Sequence, residues 1–358
     1  MSLARCDSFG SEFEALRALS ARVGADPLQV QAAGGNTSIK DGDTLWIKAS
    51  GTWLRDALAK PIMVPVRHLP LRAAIVSGDL SAEHAADFVD TTHPGSSLRP
   101  SIETVVHALM PQRVVVHIHC VDTIAAAVRQ DSPVFAAARL GNVAHAFVPY
   151  ARPGLPLAQA ILPKLEPGTD VLILGNHGLV VAGETVAATA DLLNHVRERL
   201  VAPPRAERPV DRDALERLAA GSDYRVPDEP RCHAVATDPV ACRIAAGGSL
   251  YPDHVIYLGP GATVAGTGED ALSVAARQQA QGLPAPVAIL FPDRGVLLRN
   301  GASDGALALL RCLSEVATRI PDAAPVNYLS LSENAELLDW DAEKYRQALD
   351  RQAGRMVR

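Results

Sequence analysis

A chain of 358 residues with 48% hydrophobic and 4% aromatic content is long enough for about two domains with sizeable cores. Its formal net charge of −6, with no cluster of Lys and Arg, excludes an electrostatic case for nucleic acid. The opening stretch MSLARCDSFGSEFEAL lacks the basic-then-apolar order of a signal peptide, and no apolar run approaches the ~18 residues of a membrane span. Five scattered cysteines (Cys6, Cys120, Cys232, Cys242, Cys312) argue against a disulfide framework, so a soluble cytoplasmic protein with no membrane partner is expected.

In chain order, Phe13, Leu16, Leu19 and Val23 recur at helical spacing and predict an amphipathic helix over 11–23. Residues 31–40 read QAAGGNTSIK. Gly34 and Gly35 permit a tight turn, and Asn36, Thr37 and Ser38 crowd donors beside it. The turn either holds an anion or a sugar hydroxyl, or it closes a hairpin. Residues 45–48 read as a strand closed by Ala49-Ser50-Gly51-Thr52, a second small-residue loop able to cradle the same group. Residues 73–99 read as loop-rich and exposed, with His84 and His93 solvated.

A helix is expected over 101–110, with Ser101 as N-cap and Glu103 in the first turn, where a carboxylate also favours the helix dipole. His107, four residues on, shares the face of Glu103 and reads as its partner rather than as a ligand. The strand that follows ends in His117 and His119. Side chains alternate along a strand, so Val115, His117 and His119 share one face while Val114, Val116 and Ile118 share the other.

Helices are predicted at 121–128, 133–140 and 155–163, and a short strand at 144–148. A buried strand, DVLIL (170–174), runs into Gly175-Asn176-His177-Gly178, a second strand (179–182) and a helix over 184–200. Residues 202–212, APPRAERPVDR, are Pro-rich, charged and aperiodic, and read as a linker between a domain at 1–201 and a smaller α/β domain at 213–358. Residues 286–318 echo 170–196 in strand–turn–strand–helix order, with Asp293 and Arg294 where the first copy holds His177. The second domain is therefore either a degenerate repeat without a metal site or a chance likeness. Cys232, His233 and Cys242 lack a second pair for zinc and read as structural.

Two imidazoles on one strand face form a pincer for a divalent ion, a weak signal unless the chain supplies more ligands. His177, in a glycine-flanked turn between apolar strands, is poorly explained by packing and is taken as the third; Glu103 adds a carboxylate. Three protein ligands leave a coordination position open, the catalytic arrangement. An ion in that state polarises a carbonyl and stabilises the enediolate formed when a C–C bond breaks or a proton leaves, with Glu103 carrying the proton.

Residues 11–200 resemble the class II aldolase/adducin head family, typified by fuculose- and rhamnulose-phosphate aldolases. The resemblance rests on GGNTS (34–38), KASG (48–51), PSIE (100–103), HIH (117–119), PYA (149–151) and NHG (176–178), all in the family's order. In detail it looks closest to the aldolase half of bifunctional rhamnulose-phosphate aldolase/dehydrogenase proteins, although the sequence has no GxGxxG dehydrogenase half. It implies a three-layer αβα fold around a largely antiparallel sheet. His117, His119 and His177 would hold zinc, or another divalent ion such as manganese or cobalt. Glu103 would be the catalytic carboxylate, able to ligate the ion when no substrate is bound. Asn36, Ser50, Gly51 and Ser101 would line a phosphate site. A homo-oligomer is implied, a tetramer with active sites at subunit interfaces.

Two departures stand out. Family aldolases often carry two serines before the glutamate, and here the second is Ile102. Some also supply a catalytic tyrosine downstream of the paired histidines, where 132–140 offers Phe135 and no hydroxyl beyond Ser132. Either Tyr150, Tyr251 or Tyr257 substitutes, or the substrate differs. The expected function is a divalent-metal-dependent aldolase acting on a small hydroxyketone or ketose, with or without phosphate. An epimerase, dehydratase or decarboxylase using the same chemistry, or a non-catalytic assembly protein like the adducin head, are the alternatives.

Overall fold

The computed structural model describes residues 2–93 and 98–339, with side chains from residue 9 onward; the Cys6 side chain and residues 94–97 of the expected loop segment lie outside that description. The chain divides into two compact units. One holds residues 1–123 and 132–201, the other 124–131 and 202–358. The short segment 124–131, which the sequence places with the first domain, groups with the second. Gln130 N–H donates to Pro325 O, Asn327 N–H donates to Val128 O, and Arg129 bridges Val326.

The first unit is built on seven strands: β1 (Asn36–Asp41), β2 (Thr44–Lys48), β3 (Met63–Arg67), β4 (Val114–Ile118), β5 (His145–Val148), β6 (Val171–Leu174) and β7 (Gly178–Gly183). They lie in the order β3-β2-β1-β4-β7-β6-β5, every neighbouring pair antiparallel except β5 with β6. The helices are α1 (Ser2–Ala25), α2 (His68–Ser77), α3 (Thr104–Leu109), the first residues of α4 (Val121–Ala127), α5 (Ser132–Leu140), α6 (Leu155–Ile161) and α7 (Val186–Leu200). On one face α2, α3 and α6 pack together over Leu45, Ile47, Val115, Leu172 and Val180. On the other, α1 contacts β1 and α7 contacts β4 and β7. The result is three layers, and because both faces are covered β4 reads as a continuous apolar run rather than an alternation.

The helix α2 replaces the first part of the loop expected over 73–99. His68, Leu71, Ala74 and Ile75 are its buried residues, at helical spacing, and Pro70 falls in the first turn, where its missing N–H costs nothing. His84 is exposed as expected. His93 is instead half-buried, edge-on to Trp46 at 5.0 Å and 3.2 Å from Asp90.

The second unit carries β8 (Tyr224–Arg225), β9 (Thr263–Val264), β10 (Ala288–Phe291) and β11 (Gly295–Arg299) in the order β8-β11-β10-β9. Its helices are α8 (Arg212–Ala219), α9 (Ala234–Thr237), α10 (Pro239–Ala246), α11 (Pro252–Leu258), α12 (Ala271–Ala280), α13 (Asp304–Arg319) and α14 (Leu331–Asp339). Residues 202–211 contain no helix or strand, but Arg205 is fixed by Asp238 at 2.6 Å and by the carbonyls of Ala317 and Ile320. Cys120, Cys232, Cys242 and Cys312 are buried and form no disulfide. No described helix is long and apolar enough to cross a membrane.

Candidate metal centre

The site forms where β1, β4 and β7 meet the start of α3. Val115 of β4 lies beneath α3 in the core, and the two-residue period carries the same face on to His117 and His119. Pairing sets Asn36 of β1 opposite His117 and Ser38 opposite Val115, so these four side chains project toward the α3 side. The turn between β6 and β7 brings in His177. Asn176 takes a left-handed conformation (φ 53°), which Asn tolerates better than most residues. A Cβ on Gly178 would stand 2.5 Å from Ile118 O, so only glycine lets β7 close onto β4 at this point.

The structure brings Glu103, His117, His119 and His177 together, all buried, with one donor atom from each within 4.8 Å of the others. Among the described residues no other such group occurs. The three imidazole rings form a near-equilateral triangle with centroids 4.9, 4.9 and 5.1 Å apart. His117 Nε2 is 3.1 Å from His119 Nε2, and the Glu103 oxygens lie 3.3 Å from His117 Nε2 and 3.2 Å from His177 Nε2. Ligands at about 2.0–2.1 Å around a tetrahedral ion stand about 3.3 Å from one another, so these three separations match those around a zinc-type ion.

The orientation of His117 supports the same fit. Its Nδ1–H donates to Leu179 O at 3.0 Å, which leaves Nε2 with a lone pair aimed into the cluster, as a ligating imidazole requires. Burial alone would push the Glu103 carboxyl up. The neighbouring His117, His177 and His119, with the Asn36 amide, outweigh it and hold the group at about 2. A carboxylate and three imidazoles gathered out of water call for positive charge among them, carried either by ring protons or by a metal ion that replaces them.

Glu103 sits at the N-cap position of α3 rather than in its first turn, because the helix begins only at Thr104. Ser101 shapes the approach: its Oγ accepts from Glu103 N–H at 3.3 Å. Of the residues expected to line a phosphate site, Asn36 and Ser101 lie 3.1 Å apart, but the Asn36 amide is spent on protein groups, giving its second hydrogen to Glu103 Oε2 at 2.8 Å. Ser50 and Gly51 lie on the half-buried loop after β2. That loop is stitched to 99–101 by Ser50 N–H to Arg99 O and Ser101 N–H to Lys48 O. Lys48 is buried and caps the preceding turn, donating to Ala33 O and Gly35 O at 2.6 and 2.9 Å; the sequence marked it only as part of a motif. Of the three tyrosines, Tyr251 and Tyr257 are buried inside the second unit, and burial drives the Tyr251 phenol well above its ordinary range. Tyr150 remains, with its backbone N 3.0 Å from where a Cβ on Gly175 would sit, two residues before His177.

The sequence profile of the class II aldolase and adducin N-terminal domain matches residues 15–200. A *Bacillus subtilis* (strain 168) protein described as the uncharacterized oxidoreductase YuxG is 30% identical over 179 residues, 46% of this chain; the chain spans only 25% of that relative's length. Among solved structures, the N-terminal class II aldolase domain of a conserved *Thermoplasma acidophilum* protein aligns at 30% identity and a TM-score of 0.44, covering 52% of this chain and 90% of that one. YgbL from *Klebsiella pneumoniae*, described as a putative aldolase/epimerase/decarboxylase, aligns at 22% identity and 0.38, covering 52% and 87%. With its profile match running from α1 to the end of α7, this chain belongs to the class II aldolase and adducin N-terminal domain family.

Proposed function

We propose that the chain is a divalent-metal-dependent lyase that cleaves or forms a carbon–carbon bond in a small hydroxyketone or ketose. The observation that carries this reading is the run of donor contacts, 3.1–3.3 Å, that links His119 to His117, His117 to Glu103 and Glu103 to His177, with one donor atom from each of the four within 4.8 Å of the others. His117, His119 and His177 would hold the ion, zinc or a similar divalent cation, and Glu103 would complete the set when no substrate is bound. Such an ion supplies Lewis-acid polarisation of the substrate's oxygens.

The chain's own residues do the rest. Glu103 takes or returns the proton at the reacting carbon; Asn36 and the Ser101 turn fix its rotation. The α2/α3/α6 layer over this face of the sheet keeps the carboxylate and the imidazoles buried, so charge interactions there are stronger than at the surface. The corner formed by Ser50, Gly51 and Ser101 receives the far end of the substrate, a hydroxyl or a phosphate. Because the Asn36 amide is already engaged, that end is held by hydroxyl and backbone donors. Tyr150 is the candidate proton donor to the leaving carbonyl oxygen. The first unit is the catalytic domain and the second an accessory α/β domain.

Metal content of the purified protein and cleavage assays on ketose phosphates and free hydroxyketones test the reading. About one divalent ion per chain, with aldehyde released from at least one ketose, is expected. A protein that binds no zinc, manganese or cobalt under any condition would remove the lyase reading. Tyr150→Phe is expected to lower turnover about 10²-fold or more with metal content unchanged.

A further inference from the structure

Ser38, His107 and Asn36 form a line of buried hydrogen bonds that ends on Glu103, and the direction of each follows from one chemical fact. An ionised carboxylate only accepts. Glu103 Oε2 lies 2.8 Å from Asn36 Nδ2, so the amide nitrogen faces the carboxylate, and its other hydrogen reaches Ser101 Oγ. Asn36 Oδ1 then faces His107 Nε2, which must carry the ring hydrogen. Nδ1 is left as an acceptor and takes the Ser38 hydroxyl hydrogen at 2.7 Å. Burial first, and His117 next, push His107 down to about 3, so the ring is neutral and carries a single hydrogen.

The arrangement follows from register. Asn36 and Ser38 are two apart on β1 and share a face. His107 stands one helical turn after Glu103 and reaches both. An apolar residue at 107 would fill the space but leave Asn36 Oδ1 and Ser38 Oγ without this partner, and neither Ser38 nor His107 is itself one of the four candidate ligands.

We infer that His107, held in one tautomer by Ser38, is a positioning residue: it sets which way the Asn36 amide faces and, through it, the rotation of the Glu103 carboxylate against the three imidazoles. If the amide turned over, its Oδ1 would oppose Oε2, acceptor against acceptor, and Glu103 would swing away from His117 and His177. The inference rests on the metal reading above for its consequence, but the hydrogen-bond line itself exists without ion or substrate.

Two of the tests need no substrate. ¹⁵N NMR of the intact protein reads the tautomer of His107; the Nε2–H form is expected, and an Nδ1–H form overturns the inference. Zinc affinity by competition with a chromophoric chelator is expected to weaken about 10-fold or more in His107→Leu. His107→Gln, whose amide nitrogen can replace Nε2–H, is expected to restore most of it. A folded His107→Leu protein that holds zinc as tightly as the wild type overturns the inference. Should His107→Leu fail to fold, Ser38→Ala decides: a mixed His107 tautomer with weakened zinc binding supports the inference, and an unchanged tautomer and affinity overturns it. A third test follows exchange of the carbon-bound protons of dihydroxyacetone phosphate into D₂O. There His107→Leu is expected to lower kcat with KM nearly unchanged. Absence of exchange in the wild type would count against the lyase reading, while the tautomer and zinc results would still judge the hydrogen-bond line.

Discussion

The run β5–α6–β6–β7–α7 in the first unit and the run β9–α12–β10–β11–α13 in the second pass through the same elements with the same pairings. In each, the first strand lies parallel to the second, and the second and third form an antiparallel hairpin. In each, a further strand, β4 or β8, pairs antiparallel on the hairpin's far edge. Even the hairpin turns match. Asn176 has φ 53° and Asp293 φ 60°, and the next residue donates back, His177 N–H to Leu174 O at 3.1 Å and Arg294 N–H to Phe291 O at 3.0 Å. The helices that follow are capped alike, by Thr185 and Ser303. The echo in sequence is thus an echo in backbone.

The chemistry does not repeat, and the reason is local. In the first unit β4 spans five residues and ends beside the turn with an imidazole on the α3 side, and α3 delivers a carboxylate over it. In the second, β8 spans two residues. The imidazole near the turn is His233, whose Nδ1 accepts from Val296 N–H and whose Nε2–H donates to Pro227 O. Both ring nitrogens are spent on backbone, and burial lowers the ring's basicity. Arg294, at the position of His177, is exposed. One hairpin supports a ligand cluster because its neighbours supply three more donors; the other is closed by a histidine that satisfies itself.

Removing the donors that β4 sets beside the first hairpin should have the largest effect. His117→Ala/His119→Ala is expected to take the protein from about one divalent ion per chain to none, read by elemental analysis, with turnover lost alongside. Glu103→Gln separates proton transfer from ligation: three imidazoles remain, so metal should stay bound while turnover falls about 10²–10⁴-fold. In the second hairpin the effect should be on stability alone. Leu297→Ala, in the buried strand β11, is expected to cost about 2–5 kcal/mol, measured by denaturant unfolding, with metal content unchanged. The smallest effect belongs to Arg294→His, which gives the echo turn the ligand of the first copy. Without partners it should bind no additional ion and shift stability by no more than about 0.5 kcal/mol; an additional bound ion would break the comparison.

Much of the cluster was legible because its geometry is short-range. A period of two puts His117 and His119 on one face wherever the strand ends up, and the glycines around His177 mark a turn between apolar strands. Asn36 was legible as a polar residue in a tight turn but not in its role. Its opposition to His117 across β1 and β4, and its amide bonds to Glu103 and His107, join residues 67 and 71 positions apart. The same holds for Lys48, whose carbonyl partners lie on another loop. The helix α2 was missed because ten residues with three buried apolar side chains and a buried histidine give a weak periodic signal, and the pairing of 128–130 with 325–327 was not legible because these residues lie far apart in sequence.

The sequence by itself determined the elements of the first unit around the cluster, the faces on which the histidines stand, and the strand–turn–strand order at 286–299, since all of these follow from spacing along one strand, turn or helix. Only the tertiary structure decided that Glu103, at the N-cap position of α3, turns its carboxylate to His117, that the Asn36 amide is turned toward a carboxylate rather than left for a ligand, and that His233 closes the second hairpin. Each of these depends on which atoms of distant segments come within about 3 Å of one another, and hydrogen-bond polarity is fixed only when both partners are in place.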